Sequence, residues 1–96
     1  MKSVTLDWVL NNLINHVSSR TDIFESDGRA GNEKYICTTW DPYYEEHKKE
    51  LWNRIVYFIN IPTHGNGQIY IRPINWKKWG VKNDSCYLWR ENEFFR

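Results

Sequence analysis

Ile55-Val56-Tyr57-Phe58-Ile59 is the stretch on which the fold turns. It is apolar on every side, so periodicity alone permits either a buried strand or the end of a helix. Upstream, Trp40-Asp41-Pro42 marks a helix start: Asp41 can cap, Pro42 suits the first helical position, and Glu45 and Glu46 sit near the positive end of the dipole. Tyr44, Leu51, Ile55, Phe58 and Ile59 then share one helical face, with His47, Lys48 and Lys49 elsewhere on the helix, and no Gly or Pro intervenes before Pro62. The spacing therefore predicts a helix over 42–59, with a strand as the alternative for 55–59.

Toward the amino end, Leu6, Val9, Leu10, Leu13, Ile14 and Val17 recur at helical spacing, the clearest periodic signal in the chain. Ser3 or Thr5 can cap this helix, Asp7 occupies its first turn, and His16 falls on the polar side with Asn12 and Asn15. Between the two helices lie an apolar piece at Ile23-Phe24, a turn-forming run from Glu25 to Asn32, and the β-prone run Lys34 to Trp40, which together predict a hairpin. Asp22, Glu25, Asp27 and Glu33 do not follow a calcium-loop register, so that loop reads as solvated rather than metal-binding.

Beyond Pro62, His64-Gly65-Asn66-Gly67 is a turn, with Asn66-Gly67 suited to a hairpin connection and the glycines able to form a small anion nest. Gln68 to Ile74 alternates as a strand, with Ile69 and Ile71 on one face and Tyr70 and Arg72 on the other; Pro73 puts it at a sheet edge or ends it. Asn75 to Gly80 reads as a loop or helical turn and Ser85 to Arg90 as a last strand. The expectation is a single α+β domain over residues 1–96, with two amphipathic helices packed on one face of a small, mainly antiparallel sheet in the order α-β-β-α-β-β.

Composition narrows the function classes. No apolar run reaches the roughly 18 residues a membrane helix needs, and the start is too polar for a signal peptide, so a cytoplasmic protein is expected. Cys37 and Cys86 then read as buried free thiols rather than a bridge. His16, His47, His64 and the two cysteines are scattered singly, so neither a metal nor a cofactor is expected. With 13 basic and 12 acidic residues the net charge is only +1, yet residues 51–83 contain no acid and carry Arg54, Arg72, Lys77, Lys78 and Lys82.

Three functions compete for that basic, aromatic stretch. A small metal-independent ribonuclease finds its residue types in His64, Glu91 or Glu93, Arg72 and Lys77, but no spacing rule joins them. A single-stranded nucleic-acid binder could stack bases and track phosphates with Tyr70, Arg72, Trp76, Lys77, Lys78, Trp79 and Lys82, against a nearly neutral total charge. The favoured reading is a non-enzymatic protein-binding module, an inhibitor in the manner of small phage or mobile-element accessory proteins. Those same seven residues, around positions 70–82, would contact an acidic patch on a larger protein, because interfaces favour Trp, Tyr and Arg anchors.

Overall fold

The computed structural model describes residues 4–14, 20–27, 31–62, 65–74 and 86–90, the last two by their backbone. In chain order it contains α1 (Leu6–Asn12), β1 (Thr21–Glu25), β2 (Lys34–Thr38), α2 (Pro42–Leu51), β3 (Val56–Ile61), β4 (Gly67–Ile71) and β5 (Tyr87–Arg90). The class is α+β, as the sequence predicts, but the order is α-β-β-α-β-β-β. The added strand is β3, where the sequence favoured a helix to residue 59. His16 and Val17 lie outside the described residues.

The end of α2 explains the change. Its last turn tightens, with Asn53 N–H donating to Glu50 O at 3.3 Å and Arg54 N–H to Leu51 O at 3.0 Å. The β-branched and aromatic run that follows then pairs as a strand. Val56 faces Ile71 and Phe58 faces Tyr70, so Tyr57 is an extra residue, a β-bulge. The bulge places Val56 and Ile59, three apart, in the core together. The predicted helical face groups Ile55, Phe58 and Ile59; in the strand Val56 and Ile59 enter the core, and Phe58 pairs with Tyr70 on the other side.

The five strands form one sheet in the order β2-β1-β4-β3-β5. The hairpin pairs β1–β2 and β3–β4 are antiparallel, whereas β1–β4 and β3–β5 are parallel. The sheet is thus mixed rather than mainly antiparallel. Its two hairpins meet along β1 and β4, parallel strands joined by a long crossover through β2, α2 and β3.

The turn chemistry also departs from expectation. The left-handed backbone lies at Gly65, with φ +92°, not at Asn66-Gly67. Gly67 already belongs to β4, where an added Cβ would stand 3.3 Å from Ile14 Cδ1, so its lack of a side chain lets the segment after α1 approach the sheet. Pro73 falls beyond the end of β4, which is an interior strand.

Helix α1 begins as read: Thr5 Oγ1 accepts from Trp8 N–H at 3.3 Å, and Asp7 lies in the first turn. Two of its leading N–H groups, on Leu6 and Asp7, donate to Arg54 O and Trp52 O at 3.0 and 3.1 Å. The donors left over at one helix start are satisfied by carbonyls just past the other helix's end. Leu6, Val9, Leu10 and Ile14 then join Tyr44 and Leu51 of α2 and the strand residues Ile23, Cys37, Val56, Ile59, Ile69 and Ile71 in one buried cluster that also holds Cys86. Both cysteines are free and buried.

Candidate functional site

The strand registers set two rows of side chains back to back. Cys37, Ile23, Ile69, Ile59 and Leu88 are consecutive partners across all five strands and belong to the core or pack on it. A second row follows, Tyr35, Phe24, Tyr70, Phe58 and Tyr87, again partners in register from β2 to β5; each is the chain neighbour of a first-row residue except Tyr35, which the extra residue Ile36 separates from Cys37. Because successive residues of a strand point to opposite faces, this aromatic row lies on the face turned away from the aliphatic core.

The rings are in contact along most of the row. Phe24 stacks on Tyr70, centroids 4.9 Å apart and planes at 17°. Tyr35 meets Phe24 edge-on at 5.5 Å, and Phe58 meets Tyr70 edge-on at 5.8 Å. The bulged Tyr57 continues the cluster, 6.3 Å from Phe58 and 6.0 Å from Tyr87. The inner rings are half-buried, while Tyr35 and Tyr87 at the two ends are 52% and 51% exposed. Such contacts prefer stacked or edge-to-face geometry, each contributing about 0.5–1.5 kcal/mol beyond the area buried.

Beside this row runs a polar one, Asp22, Gln68 and Asn60, also in register. Asn60 Nδ2 donates to Gln68 Oε1 at 3.0 Å, and Asn60 Oδ1 has no donor among the described residues. Burial, and then the charge of Glu33, push the Tyr70 phenol above its ordinary value; burial, and then Asp22, do the same for Tyr35. Both hydroxyls are therefore protonated donors at neutral pH.

No family model, curated protein or solved structure is significantly similar to the chain. The geometry alone must carry the functional reading.

Of the residues singled out in the sequence, Tyr70 stands at the centre of the aromatic row. Arg72 does not lie on a wet face: it is 5% exposed, with its guanidinium 4.5 Å from the Tyr57 ring centroid. It is a buried cation against the Tyr57 ring rather than a surface charge. Trp76, Lys77, Lys78, Trp79 and Lys82 lie outside the described residues, as do His64, Glu91 and Glu93. Phe24, Tyr35, Phe58 and Tyr87 were missed, although their signal is present: Ile23-Phe24, Phe58-Ile59, Ile69-Tyr70 and Tyr87-Leu88 each set an aromatic beside an aliphatic.

A cleft of about 290 Å³ lies between β2 and α2, lined by residues that include Lys34, Tyr35, Ile36, Tyr43, His47, Glu50 and Leu51, so Tyr35 borders both the cleft and the aromatic row. His47 stacks on Tyr43, centroids 4.0 Å apart, and its Nδ1 lies 2.9 Å from Tyr43 O. A carbonyl only accepts, so the neutral ring carries its proton on Nδ1 and presents Nε2 as an acceptor. Within the lining Arg54 pairs with Glu25 at 2.8 Å. Among the described residues, no group of three His, Cys, Asp or Glu is placed to hold a metal ion, and no helix is long and apolar enough to cross a membrane.

Proposed function

We propose that the chain is a protein-binding module that acts by occupying a surface of a larger protein, as an inhibitor does, and that its recognition face is the aromatic side of the sheet. The supporting observation is the five-residue row centred on Tyr70. A half-buried tyrosine-rich strip offers large apolar area at low conformational cost, with hydroxyls at its rim for hydrogen bonds. In this reading Trp76, Lys77, Lys78, Trp79 and Lys82 remain the sequence's candidates for contact with an acidic patch on the partner. Arg72 contributes by holding Tyr57.

Single-stranded nucleic acid is the alternative occupant of the same face, and the ring geometry weighs against it. Bases stack on free ring faces. Here Phe24 and Tyr70 turn a face to each other and meet Tyr35 and Phe58 edge-on, so the inner rings already use much of their stacking capacity within the row.

Affinity capture with the wild type, the Tyr35→Ser/Tyr87→Ser variant and the Lys77→Glu/Lys78→Glu variant tests the proposal. The expected result is a protein retained by the wild type and lost by both variants, the second acting mainly through association rate. A labelled RNA or DNA strand bound in a salt-dependent manner, and lost in the same variants, would transfer the face to the nucleic-acid reading.

A further inference from the structure

We propose that the cleft between β2 and α2 receives an extended peptide of a partner protein, which adds to β2 as a sixth strand. The inference rests on the protein-binding reading and names the form in which the partner's chain is taken. β2 is an outer strand of the sheet. On such a strand alternate N–H and C=O groups point outward, a template for an incoming chain.

A lysine on an edge strand and a bulge are also common devices for discouraging pairing, and β2 has both, with Lys34 at its start and Ile36 the extra residue opposite Phe24. Neither device needs a cleft alongside. At about 290 Å³ this one falls just below the usual range for a whole small-molecule ligand, but it holds two or three peptide side chains.

The lining sets what those side chains are. α2 follows β2 after a short turn, and the cleft between them has a mixed lining. Lys34, the register partner of Glu25, and Glu50 both line it, together with the Glu25–Arg54 pair. Arg54 is already neutralised there, which leaves an ammonium and a carboxylate of opposite sign. An amide side chain serves both, accepting from Lys34 and donating to Glu50. Ile36 and the buried Leu51 offer an apolar floor for an aliphatic residue. Tyr43 and His47 suit an aromatic residue, which can stack there or donate to His47 Nε2. Alternate residues of a strand point the same way, so the partner motif is amide, any, aliphatic, any, aromatic, or its reverse.

Panning a displayed library of random linear dodecapeptides on the full chain, followed by amide chemical-shift mapping with the enriched synthetic peptide, is the test. The expected result is enrichment of that alternating motif and shifts confined to Lys34–Thr38 and α2. Affinity should fall by about tenfold or more in Lys34→Ala or Glu50→Ala, roughly one lost charge-assisted hydrogen bond. N-methylation along one edge of the peptide should abolish binding, and along the other edge should be tolerated. No enrichment, or binding that survives N-methylation of either edge, overturns the proposal. Shifts confined to Tyr70, Phe58 and Tyr87 also overturn it while leaving the aromatic face intact as a binding surface. Binding in the groove should persist in Tyr87→Ser, which separates the two sites.

Discussion

Cys37 and Cys86 are inert thiols, and their inertness has a pH signature. Burial pushes each from an ordinary value of 9.0 to about 11, with Asp41 adding to the effect at Cys37. Above pH 9 the unfolded chain gives up thiol protons that the folded chain retains, so folding stability is full below that pH and falls as the pH climbs toward 11. Denaturant unfolding at stepped alkaline pH should show this loss, with a shallower slope in Cys37→Ala; a slope unchanged by the substitution would contradict the assignment. At the same scale, Trp52 Nε1 donates to Tyr44 Oη at 2.8 Å across the end of α2. Tyr44→Phe strands that indole donor beside the core and should cost about 1 kcal/mol in chemical denaturation.

At the scale of elements, Arg54 secures the passage from α2 into β3. It pairs with Glu25 at the end of β1, donates to Arg72 O just past β4, and accepts at its own carbonyl from Leu6 N–H. With its side chain only 13% exposed, little of this is screened. Arg54→Ala should destabilise by about 1.5–3 kcal/mol, and a double-mutant cycle with Glu25→Gln should show coupling between the two residues. At Gly65 the positive φ makes alanine unfavourable by about 1 kcal/mol, whereas Asn66→Ala should be nearly silent if the turn depends on Gly65 alone. The sequence disclosed the start of each helix, since caps and first-turn acids are local chemistry. It misplaced the end of α2 because Ile55 to Ile59 is apolar on every side with no Gly or Pro to break it, and only pairing with β4 distinguishes strand from helix there.

At the scale of the molecule, an α+β domain with two helices was legible, and the mixed sheet was not. Strand order depends on which hairpin faces meet, which no local spacing encodes. The same reason hid the candidate site: each aromatic-aliphatic doublet is visible alone, but the row exists only once β1 is set beside β4 and β3 beside β5. Tyr70 and Arg72 were singled out from the basic stretch; alternation set both on the face opposite Ile69 and Ile71, but it does not disclose that Arg72 is buried. The buried aliphatic cluster shared by the helices and the sheet carries most of the fold. Tyr35→Ser/Tyr87→Ser removes one edge-on ring contact at each end of the row and should cost about 1–3 kcal/mol together in chemical denaturation, leaving the chain folded.

Hydroxyl-radical footprinting of the free chain and of its captured complex tests the central claim most directly. In the free chain the exposed rings of Tyr35 and Tyr87 should oxidise readily, with Trp40 on the exposed turn before α2 as an internal reference. In the complex Tyr35, Tyr70 and Tyr87 should become protected together while Trp40 stays reactive. Unchanged oxidation of all three tyrosines in a complex that demonstrably forms would contradict the account.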